Sequence, residues 1–162
     1  MATRKATKGA SKKSSGKASA TATPSAQTAQ ACAPGVCDPQ RTQGLKAPAP
    51  KGAAPQVLVN LEGPGVFLGA HVSKQGGDTD LTFVILDIDG RNVTNISFAA
   101  ARNVGFTQQN PYGLVLLQSG AGIENLTIGF PTPLSYRRQL KLSVVVNENG
   151  VVQILGNVIH GR

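Results

Sequence analysis

The chain has 162 residues, 16 of them Lys or Arg and 8 Asp or Glu, for a formal net charge of +8. No stretch approaches the roughly 18 apolar residues of a membrane-spanning helix, and two cysteines are too few for a disulfide scaffold. The basic amino terminus lacks the apolar core of a secretory leader, so none is predicted, and the length suits one domain rather than a large multidomain enzyme.

Charge and apolar content divide the sequence in opposite ways. Residues 1–55 hold 9 basic residues and one acid, Asp38, and only Val36 and Leu45 among Val, Ile, Leu and Phe. Residues 56–162 hold 7 basic and 7 acidic residues, 39 of that apolar set, and both tyrosines, Tyr112 and Tyr136. Two large apolar side chains cannot offset an ordering cost of about 1–2 kcal/mol per residue, so residues 1–55 are expected to be a disordered basic arm and linker. Residues 56–162 are expected to form one neutral globular domain.

The arm concentrates Arg4, Lys5, Lys8, Lys12, Lys13 and Lys17 in its first 17 residues, and its Gly, Ser and Thr oppose a stable helix. Residues 46–55, KAPAPKGAAP, are expected to be extended and stiff. A coil of the arm's length reaches about 40 Å, with an extended limit of roughly 180 Å. The six cations point to a polyanion, DNA or RNA, bound through its phosphates with little regard to sequence. Docking on an acidic protein face and simple solubilisation are the other readings. No aromatic is interleaved with the lysines, so base stacking is not supported.

Cys32-Ala-Pro-Gly-Val-Cys37 places a turn dipeptide between two thiols, which suits a small-loop disulfide. Free thiols in a reducing compartment are the favoured reading, and a disulfide within or between chains is the second. Two sulfurs supply only half of a zinc site, so no metal is expected.

From Gln56 onward, short β segments alternate with Gly, Pro and Asn turns, and strands are predicted near 56–62, 65–73, 81–89, 91–98, 112–118, 123–130, 139–147 and 150–160. Asp89-Gly90 and, more strongly, Asn149-Gly150 read as hairpin turns. Leu140, Leu142, Val144 and Val146 fall on one strand face, opposite Lys141 and Ser143. No helical stripe is present. The expected fold is all-β, an antiparallel, jelly-roll-like β-sandwich of about eight strands. Residues 81–88 and 114–117 are apolar on both faces, which predicts a second buried surface. Phe83, Ile85, Leu114 and Leu116 are therefore candidates for core or subunit contacts in a homo-oligomer, a trimer favoured.

Chemistry-bearing residues are sparse. His71 and His160 have no recognisable nucleophile or acid partner, and both cysteines lie in the arm, so no enzyme, catalytic residue or cofactor is predicted. Asp78-x-Asp80 and Asp87-x-Asp89 resemble oxygen-ligand pairs for calcium but are accounted for by turns. Tyr136-Arg137-Arg138 reads as a solvated loop, with a basic surface spot as the alternative. Asn92-Val-Thr94, Asn95-Ile-Ser97 and Asn125-Leu-Thr127 match a glycosylation pattern and read as strand and turn residues.

The stretch Gly122-Ile-Glu-Asn-Leu-Thr-Ile-Gly-Phe-Pro-Thr-Pro-Leu-Ser-Tyr136, followed by Leu140-Lys-Leu-Ser-Val-Val-Val146, resembles small β-sandwich modules of tailed-bacteriophage structural proteins. Gly63-Pro-Gly65-Val-Phe-Leu-Gly69 and Leu86-Asp-Ile-Asp-Gly90 are similar to the same modules. The resemblance covers about 100 residues. It implies a virion component assembled in the host cytoplasm: a capsid decoration, head-fibre or tail-accessory subunit, usually oligomeric and bound to capsid or other virion proteins. The Lys-rich arm departs from the usual decoration subunit. Two alternatives are a small-virus coat protein with a genome-binding arm, and a sandwich module for glycan or receptor. The absence of Trp lowers the last.

Overall fold

A computed structural model of the chain describes residues 36–119 and 122–162, which form two facing antiparallel sheets. In chain order the elements are β1 (Gln40–Lys46), β2 (Gly52–Glu62), β3 (Gly65–Gly76), β4 (Thr82–Ile88), β5 (Arg91–Ser97) and α1 (Phe98–Asn103). They continue with β6 (Leu114–Ser119), β7 (Ile123–Ile128), β8 (Leu134–Tyr136), β9 (Gln139–Val146) and β10 (Val151–Gly161). The first sheet runs β1-β10-β3-β7-β6, with β8 also pairing β3, and the second runs β2-β9-β4-β5.

The pairs β1/β10, β2/β9, β3/β7 and β4/β5 alternate between the two sheets. A single antiparallel ribbon whose tip is the β4–β5 hairpin has thus been rolled up, which is the jelly-roll arrangement. The expected all-β sandwich is what the chain forms.

The core follows from the period-2 pattern. Leu140, Leu142, Val144 and Val146 on β9, with Val84 and Leu86 on β4, are fully buried. They face Val72 on β3, Leu126 on β7, and Ile154 and Val158 on β10, also fully buried. At Asp89-Gly90 the backbone is left-handed at both residues, with φ of 52° and 79°, and this turn closes the β4–β5 hairpin as expected.

Asn149-Gly150 does not close a hairpin. It carries the chain from β9 in the second sheet to β10 in the first, because β10 is needed between β1 and β3. Gly150 still takes a left-handed φ of 74°, but the turn spans the sandwich instead of joining neighbours.

The domain also begins earlier than Gln56. Residues 40–46 pair along β10 from Gln40↔His160 to Lys46↔Ile154, Ala49 is buried in the core, and β2 starts at Gly52. The Pro-rich stretch expected to be a linker carries the chain from one sheet to the other, and the register of β2 is broken between Gly52 and Gln56, where Pro55 cannot donate to the ladder. β1 has no apolar signature because small residues are required on its inner side. A Cβ at Gly44 would overlap the backbone carbonyl of Leu58. Opposite Gly44, Gly156 lies under the same side chain, its would-be Cβ 2.8 Å from Leu58 Cδ1.

One short helix, α1, interrupts the β pattern where residue 98 was expected to end a strand. Ser97 caps it, its Oγ accepting the Ala100 N–H at 3.0 Å, and Phe98 and Ala101 are buried. Six residues are too few to show a helical stripe.

Gly44→Ala is expected to lower stability by about 1–3 kcal/mol, the usual cost of overpacking. The urea midpoint would fall with an unchanged slope. An unchanged midpoint would show that residues 40–46 are not docked against β2.

Candidate functional site

The two ends of the sandwich carry different chemistry. At the end formed by the β3–β4 loop, α1 and the β9–β10 turn, Lys74 is fully buried. It lies on the inward face of β3, in the row of Ala70 and Val72. Its Nζ lies 2.5 Å from Asp80 Oδ1, 3.0 Å from Glu148 Oε1 and 3.4 Å from Glu124 Oε2, and 5.1 Å from the centre of the Phe98 ring. Arg102, on α1, completes the cluster by pairing Nη1 with Asp80 Oδ2 at 2.8 Å and Nη2 with Glu124.

Glu148 is the most heavily bonded carboxylate here. Oε2 accepts the N–H groups of Thr79 (3.1 Å) and Asp80 (2.7 Å), and Oε1 accepts the N–H (3.1 Å) and hydroxyl (2.5 Å) of Thr82. Burial pushes its carboxyl upward, but the hydrogen bonds from Thr82, Lys74 and Thr79 and the Lys74 charge outweigh burial and hold it below the ordinary range. Asp80 is lowered likewise, burial being outweighed by Lys74 and Arg102. The loop can wrap this carboxylate because Gly77 has φ of 106°. A Cβ there would overlap the Glu148 carboxylate and lie 2.9 Å from Lys74 Nζ.

Lys74 donates to Asp80 and Glu148 and is ion-paired with Glu124, so the cluster is a lock between the sheets. A cation occupies the position a metal would need, and among the described residues no group of His, Cys, Asp or Glu is arranged to hold a metal ion. Asp78 stays with its turn, accepting the Asn149 N–H at 3.2 Å.

The opposite end gathers the β4–β5 turn and the β8–β9 turn. Asp89 Oδ2 accepts the N–H of Arg137 (2.9 Å), and Oδ1 accepts those of Arg138 (2.7 Å) and Gln139 (3.0 Å). These bonds, from Arg137 and then Gln139 and Arg138, lower its carboxyl to about 2. The two turns are fixed against each other, and a cleft of about 540 Å³ opens between them, lined by Ile88, Asp89, Arg91, Ser135, Arg137 and Arg138. All three arginines are exposed. The ion pairs among the described residues involve Lys74, Arg102 and Lys141, not these three. Asp87, expected to share a face with Asp89, instead pairs with Lys141 at 3.5 Å.

The expected contact residues separate. Phe83 and Ile85 are half-buried on the outer face of the second sheet, beside Val145 and the exposed Val57. Leu116 is buried and Leu114 packs against the core, so of the two expected roles, core or subunit contact, these two take the core one. Leu117 is exposed, because the register puts Leu114 and Leu116 opposite inward-facing Ile128 and Leu126.

Arg4, Lys5, Lys8, Lys12, Lys13, Lys17 and Cys32 lie outside the described residues. Cys37 is disulfide-bonded. His71 Nε2 lies 3.2 Å from Asn125 Oδ1 on an outer face, and His160 Nε2 lies 2.9 Å from Thr42 Oγ1. Among the described residues, no helix is long and apolar enough to cross a membrane.

No protein-family model matches the chain, and no curated protein sequence matches it.

Lys74→Met would leave three carboxylates facing one another and is expected to cost about 3–5 kcal/mol, as for breaking a buried pair. Because the folded carboxyls of Asp80 and Glu148 lie below their unfolded values, their contribution is complete above the usual carboxylate range and is lost as pH falls through and below it. Urea midpoints should therefore hold steady from about pH 7 to 5 and drop below about pH 4. A midpoint that stays level into that acid range would contradict the assignment.

Proposed function

We propose that the chain is a non-enzymatic virion structural subunit, a capsid decoration or accessory protein. Its sandwich self-associates, and its Lys-rich amino-terminal segment holds it to the capsid or to packaged nucleic acid. The observation that carries this reading is the rolled ribbon of strands, an architecture used in viral capsid domains. It is preceded in the sequence by six cations within 17 residues. The similarity to phage β-sandwich modules supports it through residues 122–146, which form β7, β8 and β9, strands that interlock the two sheets.

Self-association is assigned to the outer face of the second sheet. Phe83, Ile85, Val145 and Val57 form an apolar strip there that nothing among the described residues covers completely. A second reading, a small-virus coat protein with a genome-binding arm, is favoured by the same ribbon order, since a coat subunit uses its jelly roll as the shell.

Sedimentation and electron microscopy of the purified full chain separate these readings. The accessory-subunit reading expects a discrete small oligomer, a trimer favoured, whereas closed shells formed by the protein alone would favour the coat protein. A monomer at high micromolar concentration would contradict both. Phe83→Ser combined with Ile85→Ser is expected to weaken association by at least about tenfold, since a central apolar anchor is worth more than 1 kcal/mol. Because both side chains are half-buried, the monomer's urea midpoint is expected to fall as well, and association is compared where the variant remains folded.

A further inference from the structure

We propose that the cleft of Arg91, Arg137 and Arg138 is a second phosphate-binding site, built on the domain itself, for the backbone of the nucleic acid that the amino-terminal cations contact. The inference rests on the nucleic-acid branch of the function proposed above and extends it from the arm to the fold.

Three observations converge. The first is the chemistry of the cleft. Three exposed guanidiniums line one space, and guanidinium forks match phosphate oxygens in pairs. The one carboxylate present, Asp89, spends its oxygens on three backbone N–H groups, and no lining group other than Ile88 is apolar. A peptide would find little to bury there, whereas a phosphate chain needs only charge and donors.

The second observation is rigidity. Arg91 stands one residue beyond the β4–β5 turn, and Arg137 and Arg138 occupy the β8–β9 turn. The Asp89 bonds tie the two turns together, and the Gly63 N–H donates to the Arg138 carbonyl at 2.7 Å from the β2–β3 turn. Arg138 Nη2 also donates to the Asp89 carbonyl at 3.2 Å, which orients its guanidinium. The turns that carry the cations, and the Arg138 guanidinium with them, are thus held in place before any ligand arrives, which lowers the ordering cost of binding.

The third is position. The described chain begins at this same end of the sandwich. The Cys37 N–H donates to the Arg162 carbonyl at 2.5 Å, and the Arg162 N–H donates back to Cys37 at 2.8 Å. Asp38, Tyr136 and Arg162 line one cavity of about 240 Å³, and Arg137 follows Tyr136 directly. The described chain therefore starts on the side where the arginines are displayed.

The test uses the full chain and a random-sequence duplex DNA of about 30 base pairs, with binding measured by fluorescence anisotropy from 50 to 200 mM salt. Each phosphate contact adds about 0.9 to the slope of log affinity against log salt. R91Q/R137Q/R138Q should reduce that slope by about 2–3 with an unchanged urea midpoint. R91K/R137K/R138K, which keeps the charge, should restore most of it. A chain with Gln at positions 4, 5, 8, 12, 13 and 17 should keep a residual slope of about 2–3, and this residue should vanish when both sets are combined.

If the arginine variant binds with the slope and affinity of the parent, the cleft proposal is overturned while the arm reading stands. If the arm variant binds like the parent and the arginine variant does not, the arm reading fails and the cleft stands. A cleft that takes poly-glutamate more tightly than duplex, and loses it on R91Q/R137Q/R138Q, overturns the nucleic-acid assignment in favour of an acidic protein.

Discussion

The buried ammonium of Lys74 is the interaction on which the sandwich depends. It is a charge on the inward face of a core strand, and it is tolerable only because three carboxylates and an aromatic ring surround it. Those carboxylates come from different parts of the ribbon. Glu124 is on β7 beside β3, Asp80 is in the loop that leaves the first sheet, and Glu148 is in the turn that returns to it. The lock therefore pins both crossings between sheets at one end, and the left-handed Gly76 and Gly77 let the backbone close over it. Hydrophobic packing draws the sheets together but is non-directional. The ion cluster adds a demand for one register, because a shift of one residue would turn Lys74 outward and strand its three partners.

Closing one end by charge leaves the other free to display it. Away from the Lys74 cluster the turns are short and tied by Asp89, whose low carboxyl value is the mark of three backbone donors on one anion. Arg137 and Arg138 supply backbone N–H groups to that tie, and Arg91, Arg137 and Arg138 are in no ion pair among the described residues. The sandwich thus has an internally neutralised end and an end that displays three arginines, although residues 56–162 carry no formal net charge. Composition alone hides this separation, since it averages over a domain whose acids are mostly consumed by lock and turn.

Much of the fold was legible because burial enforces alternation. The β9 pattern of Leu140, Leu142, Val144 and Val146 and the two-faced β4 were readable directly, and eight predicted strands correspond to observed ones. Three elements escaped. β1 carries glycine where another strand would carry a large side chain, because Leu58 crosses too closely. β8 is three residues long, and α1 has fewer than two turns. The strand predicted at 65–73 stops one residue short of Lys74, which lies inside β3. Its partners lie as far away as Glu148, and pairing across that separation leaves no local trace. The arginine cleft was half visible: Arg137-Arg138 stood out as a basic pair, but its convergence with Arg91 follows from the jelly-roll winding. The cations from Arg4 to Lys17 were legible only as composition.

In the proposed role this chain meets nucleic acid at one end of a jelly roll that is locked at the other. Amide hydrogen exchange of the full chain, with and without a duplex oligonucleotide, tests that role. Slowed exchange is expected within residues 1–20, around Arg91 and across Arg137–Gln139, with Lys74, Thr79 to Thr82 and Glu148 unchanged. Protection confined to the Lys74 end, or no change anywhere at low salt, would contradict it.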